Sequence, residues 1–314
     1  MNSRLVFYLV MSWFVIGSEC VIAQTSVKEG GASMLVYNLY SSNAVMPFKE
    51  NTRLAFTNTS ETENVTLHLF LVANDCKVAD QFLSLTANQT VVALASELDP
   101  GVRGFLVAVA VDRVTGCPIK FNHLMGEAAI KLATGHRATL LAEGIRALRE
   151  NPAECVGAMN AAELRFNGER YDVLPRVLAI DSVGSIYDGI STMLVVNRIG
   201  GDWRDRAATT GVLFGLLYDD QGEGVSLQWG GNCQVMRPLF PLRPFPRLPP
   251  PFEFIGFGHT GWLKFFDVSH AGPLLGAVLV FNANENLSFS SGRNMHHLTY
   301  AASSAVTIPL SPPQ

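Results

Sequence analysis

The sequence predicts a mainly all-β protein: two tandem immunoglobulin-like β-sandwich domains joined by a short helix and β-hairpin connector. Three observations predict it. Short runs rich in Val, Leu, Phe and Thr recur between Asn, Asp, Gly and Pro, as in an antiparallel sandwich. Charged residues make up 16% of the chain against 48% hydrophobic, with 27 Gly and 16 Pro, which suits loop-rich sheets better than a helical bundle or a disordered chain. Landmarks of the first half also reappear, in order, in the second.

Residues 1–23 read as a cleavable export signal. Arg4 supplies the positive start, Leu5 to Gly17 an apolar run too short for a stable span, and Val21 and Ala23 the small residues before a cut near Ala23. The expectation is a secreted, periplasmic or cell-surface protein with no transmembrane segment after cleavage.

The first sandwich is expected over 33–132. Its landmarks are "TRLAFTN" (Thr52–Asn58), "TLHLFLVAND" (Thr66–Asp75), "FLSL" (Phe82–Leu85), "GVRGFLVAV" (Gly101–Val109) and "CPIKFN" (Cys117–Asn122). Pro100-Gly101 makes a turn, and Gly104 marks a bend or close approach before a buried strand whose first aromatic, Phe105, faces the core. A connector follows over 133–173. Ala138–Glu150 has helix-forming composition with Leu141, Ile145 and Leu148 on one face, stopped by Asn151-Pro152. Asn167-Gly168 then signals a hairpin.

The second sandwich is expected over 174–312. It repeats the landmarks as "STMLVVN" (Ser191–Asn197), "GVLFGLLYDD" (Gly211–Asp220), "VSLQW" (Val225–Trp229), "GHTGWLKFF" (Gly258–Phe266) and "GAVLVFN" (Gly276–Asn282). The spacing to each counterpart grows along the chain, so this copy carries insertions. The largest is a Pro-rich loop at 230–251, whose composition excludes helix and central strand and favours polyproline II. Arg237, Phe240, Arg243, Phe245, Arg247 and Phe252 in and beside it are the candidate partner contacts.

Export favours disulfides, and four cysteines remain once Cys20 is removed. Three pairings are open. Cys76 with Cys117 is favoured because both lie in the first repeat, leaving Cys155 with Cys233. Metal chemistry has little support, because no Cys-x-x-Cys or Cys/His pair at ligand spacing exists. A weak Ca²⁺ candidate is "YDDQGEG", with Asp219, Asp220 and Glu223, which reads equally as a polar hairpin turn. The nucleophile elbow, HExxH, Walker and GxGxxG patterns are missing, so no cofactor is expected. A net charge of −4 gives no electrostatic reason to expect nucleic acid. Sequons at Asn58, Asn64, Asn88 and Asn286 suggest exposed turns.

The segments "LVYNLYSSNA", "NTRLAFTNTSE", "DPGVRGFLVAVAVDRVTGCPIKFN" and "LPRVLAIDSV" carry a resemblance. With them the chain is similar to secreted bacterial proteins of tandem β-sandwich type. The resemblance implies export and the recurring strand framework, and it brings no activity or catalytic residue. The expected function is that of an exported non-enzymatic structural, adhesion or surface-complex protein, with other envelope or extracellular proteins as partners. The alternative is an extracellular carbohydrate or small-ligand binding protein, and a secreted hydrolase ranks below both.

Overall fold

A computed structural model describes residues 31–156, 160–204, 211–239, 254–268, 272–282 and 289–311. The signal region and most of the Pro-rich loop lie outside them. The first half contributes β1 (Met34–Ser41), β2 (Asn51–Asn58), β3 (Val65–Ala73), β4 (Val78–Leu85), β5 (Thr90–Leu94), a short helix α1 (Ala95–Leu98), β6 (Arg103–Val111) and β7 (Leu124–Lys131). Then come β8 (Arg137–Leu141), β9 (Glu143–Ile145), β10 (Ala153–Val156) and β11 (Ala161–Phe166). The second half has β12 (Pro175–Gly184), β13 (Ile190–Arg198), β14 (Gly201–Asp202), β15 (Gly211–Asp219), β16 (Gly224–Gly231) and β17 (Gln234–Pro238). It ends with β18 (Thr260–Asp267), β19 (Leu274–Asn282), β20 (Phe289–Asn294), β21 (His296–Tyr300) and β22 (Ser304–Pro309).

The protein is all-β, and its strands form five small sheets, as many as a five-bladed propeller has blades. Four of them match in pairs. The first half has β4-β3-β6-β1-β9 and β5-β2-β7-β8; the second has β16-β15-β18-β12-β21 and β17-β13-β19-β20. Strand for strand, the two orders are the same. Even an irregularity recurs: the register slips between Tyr37 and Tyr40 in β1, and between Ile180 and Val183 in β12. The order is not that of an immunoglobulin constant domain, because β1 pairs with β6 rather than β2, and β4 with β3 rather than β5.

The glycine landmark keeps its register. Gly104 pairs with Ala73 on β3, and Gly261 with Asp219 on β15. A Cβ on Gly104 would sit 2.0 Å from the Val72 carbonyl oxygen, and one on Gly261 2.4 Å from that of Tyr218. Gly101 and Gly258, three residues earlier, both hold positive φ, +82° and +72°. Other landmarks shift. Leu54 on β2 faces the core between its half's two sheets, as Leu194 does in the second half while Met193 points the other way, and "CPIKFN" precedes β7 instead of matching β19.

Three cores organise the sheets. One lies between β5-β2-β7-β8 and β4-β3-β6-β1-β9, and it also takes in Met193, Val195, Ala277 and Leu279 from the second half. A second lies within the second half, between its own two sheets. The third lies on the other side of β4-β3-β6-β1-β9, which a fifth sheet, β10-β11-β22-β14, covers. Buried amides join the halves: Asn197 Nδ2 donates to the Asn38 carbonyl at 2.9 Å, and Gln234 Nε2 to the same carbonyl at 3.3 Å.

Several expectations are corrected. The connector helix at 138–150 does not form, and most of its span is strand: β8 pairs with β7 and β9 with β1, placing Leu140 and Ile145 in cores. Helix propensity is a weak prior, and two waiting sheet edges override it. At Asn167-Gly168 the turn forms, with Asn167 Oδ1 accepting from the Glu169 and Arg170 amides at 3.0 and 2.9 Å. No hairpin follows, because β11 pairs with β10 and the distant β22.

The disulfides are Cys76–Cys233 and Cys117–Cys155, not Cys76–Cys117 and Cys155–Cys233. Cys76 lies just past the Ala73–Gly104 end of the β3–β6 ladder, and Cys117 lies past the Thr66–Val111 end. Seven residue steps along the strand separate those ends, about 24 Å, far beyond disulfide reach. The Pro-rich insertion is also displaced. β17 directly follows β16, as β5 follows β4, so the long segment lies between β17 and β18 where the first half has α1.

Candidate functional site

Each sequence-based candidate has a definite place. Asp219 closes the turn between β15 and β16. Its Oδ1 accepts from the Gln221 and Glu223 amides at 3.0 and 2.8 Å, with Gly222 at φ +88°. Asp220 pairs instead with His259, Oδ2 to Nδ1 at 2.8 Å, and that hydrogen bond raises the imidazole pKa. The structure thus uses both aspartates locally. Among the described residues no group of three or more His, Cys, Asp or Glu could hold a metal ion.

Of the proposed partner contacts, Arg237 stands exposed on β17, while Phe240, Arg243, Phe245, Arg247 and Phe252 lie outside the described residues. Arg237 borders a polar cleft of ≈ 290 Å³ where the halves meet beside Cys233, lined also by Asn74, Asp75, Arg103 and Asn232. An adjoining cleft of ≈ 520 Å³ shares Asn74, Asp75 and Arg103 and reaches Lys77 and Asp99. Its charges are mostly engaged. Arg103 donates to Glu50 Oε1 at 2.7 Å and to Ser41 Oγ at 3.2 Å, and Lys77 meets Asp75 at 2.7 Å. Burial would raise the Glu50 carboxyl, but hydrogen bonds from Ser41 and Arg103 and the Arg103 charge outweigh it and hold its pKa low. Among the described residues the lining has no Ser, Cys or His.

The feature that the sequence reasoning missed lies on the outer face of β16-β15-β18-β12-β21. Strands alternate, so Leu213, Leu217, Leu263 and Phe265 point into the second-half core. Their neighbours Val212, Phe214, Leu216, Tyr218, Trp262 and Phe266 point away and belong to none of the three cores. Phe214 opposes Phe266 across the ladder with ring centroids 5.6 Å apart, and Tyr218 stacks on Trp262 at 4.8 Å. Trp262 is 38% exposed.

The equivalent face of the first half is covered. Phe105 occupies the position of Trp262, yet it is fully buried under β10-β11-β22-β14 and lies 6.3 Å from Trp203. Phe105 faces a core as expected, and Trp262, at the matching position, does not. The signal was legible: β15 and β18 read apolar on both alternations, the pattern of a strand with two apolar faces.

Asn58 is no exposed sequon, because it is fully buried and its Nδ2 donates to the Glu63 and Thr86 carbonyls at 2.7 and 3.0 Å. Asn64 and Asn88 are exposed, and Asn286 lies outside the described residues.

No family model matches the chain, and no curated protein matches it. It is similar in structure to a solved Thermotoga maritima protein titled "1070", at 11% identity and a TM-score of 0.28. That likeness covers 36% of this chain and 95% of the other, and it is too loose to carry an argument about fold or function.

Proposed function

We propose that this is an exported, non-enzymatic assembly protein, built from a duplicated two-sheet sandwich and working as a subunit of a surface or envelope complex. The carrying observation is the apolar face of β15 and β18, which no described element covers. Other outward faces are mixed or polar: β5-β2-β7-β8 shows Arg53, Thr57 and Glu127 beside single exposed apolar residues such as Met125 and Leu141, and the fifth sheet shows Glu163 and Arg165 in an ion pair at 2.8 Å. An apolar face against that background marks a contact surface. The matched strand orders, the shared glycine geometry and the common register slip support duplication. Two disulfides are compatible with an oxidising compartment, and no helix among the described residues is long and apolar enough to cross a membrane.

The test is native size in the exported fraction. The protein is expected in a species larger than one chain, and Leu216→Lys with Trp262→Lys is expected to release it. A wild-type protein that runs as a free single chain in that fraction would refute the reading. A second reading, extracellular small-ligand binding, rests on the polar cleft at Arg103 and Arg237. It requires saturable binding of a polar ligand that Arg237→Ala weakens.

A further inference from the structure

We infer that the polar cleft beside Cys233 binds a small hydroxylated monocarboxylate, the chemistry of a uronic acid, with its carboxylate on Arg237. The inference rests on the small-ligand reading above and names its ligand class. Both halves build the cleft: Asn74, Asp75 and Arg103 come from the first, and Asn232, Gln234 and Arg237 from the second. The Cys76–Cys233 bridge ties these two walls together, with Asp75 next to one cysteine and Asn232 and Gln234 on either side of the other. Walls fixed in advance lower the ordering cost of binding.

Two buried polar atoms here lack partners. Gln234 lines the cleft and is 4% exposed. Its Nε2 donates to Asn197 Oδ1 at 2.8 Å, whereas its Oε1 has no hydrogen-bond partner among the described residues. Arg198 is buried behind the lining, where its Nη1 donates to the Gly231 and Asn232 carbonyls at 3.2 and 2.5 Å. Its Nη2 is unpartnered in the same sense. Buried polar atoms are normally satisfied, by protein, water or ligand. A ligand hydroxyl supplies what Gln234 Oε1 lacks, because it donates as well as accepts.

Charge selects the class. Arg103 is compensated by Glu50 and Asp75 by Lys77, both at 2.7 Å, while exposed Arg237 has no ion-pair partner among the described residues. One uncompensated guanidinium matches one carboxylate, which it can hold through two parallel hydrogen bonds. The Asp75 carboxylate in the same lining opposes the second charge of a phosphate monoester. The body of the ligand meets amides: Asn74 and Asn232 are exposed, and neither side chain hydrogen-bonds within the described residues. Among the described residues no aromatic ring lines the cleft, so hydroxyls fit it better than an apolar body. At ≈ 290 Å³ it stands at the small end of ligand pockets, roughly 300–1,000 Å³, and suits a single sugar unit.

Calorimetric titration of the disulfide-bonded protein with glucuronate, glucose, glucose 6-phosphate and alanyl-alanine at fixed ionic strength tests this. Glucuronate should bind saturably, and the other three about tenfold more weakly or less. Arg237→Ala should weaken glucuronate by about tenfold or more with the melting temperature unchanged, and Arg237→Lys should recover only part. Glucose or glucose 6-phosphate binding as tightly as glucuronate overturns the carboxylate assignment and leaves the small-ligand reading intact. Alanyl-alanine binding as tightly overturns the sugar-acid class in favour of a peptide C-terminus. Glucuronate binding that Arg237→Ala does not weaken overturns the site. The four probes are monoanionic, neutral, dianionic and zwitterionic, so binding of none of them overturns both the inference and the small-ligand reading.

Discussion

Removing the Cys76–Cys233 bridge by Cys76→Ala with Cys233→Ala should destabilise the protein by about 5 kcal/mol. The bridge spans 157 residues, against 38 for Cys117–Cys155. In the chain-entropy model those loops correspond to about 5 and about 4 kcal/mol at 25 °C, so the long bridge should matter more by about 1 kcal/mol. Structure adds to the difference. Cys76 and Cys233 are each 2% exposed, and the Cys233 amide donates to Cys76 Sγ at 3.1 Å, so the double Ala variant also loses packing where the halves join. Urea unfolding of the two double variants, oxidised and at equal pH, measures both losses. Equal m-values would confirm that the native and unfolded states are otherwise comparable. If the 76/233 variant proves the more stable of the two, loop entropy is not what this bridge supplies. If peptide mapping joins Cys76 to Cys117, the topology itself is wrong.

Gly104→Ala and Gly261→Ala should each cost about 3 kcal/mol or more by driving a Cβ into a neighbouring strand's carbonyl. Gly258→Ala, with no neighbour within 4 Å but φ +72°, should cost only about 1–2 kcal/mol; similar melting losses for all three would remove the close-approach argument. Arg198 and Asp267 form a buried pair, Nε to Oδ2 at 2.6 Å with side chains 0% and 2% exposed. Asp267→Ala should cost about 3–5 kcal/mol by chemical denaturation, with Arg198→Met added in the same chain recovering part of it. Glu50 has a lowered folded pKa, so its stabilisation is full above the unfolded carboxyl value of about 4.3 and fades as pH falls through the folded one. The stability gap between wild type and Glu50→Gln should therefore be constant near neutral pH and close in acid; a gap that widens in acid would reverse the sign.

Composition and strand-like runs were enough to establish the all-β class, because those properties are local. The recurring Gly-x-x-Gly was also legible, since two positive-φ turns and two close backbone approaches each demand glycine. Neighbouring landmarks such as Leu54 and Leu194 were matched one residue out. Apolar runs look alike at either register, and only the inward direction of a side chain tells them apart. The connector helix failed for the opposite reason: Ala138–Glu150 has the right composition, and edges at β7 and β1 made strand the better use of it.

The candidate site divides along the same line. Apolar residues on both alternations of β15 and β18 announced, from sequence alone, strands meant to be covered twice. Whether each cover exists was decided by topology, through β22 returning from the far end of the chain to β11 and closing the first half only. Disulfide partners were likewise beyond the sequence, because about 24 Å of strand separates two cysteines of the same half. Local chemistry determined the strands, turns and glycines of this protein. Tertiary structure alone decided which apolar face is buried and which is left open, because burial depends on what arrives from elsewhere in the chain.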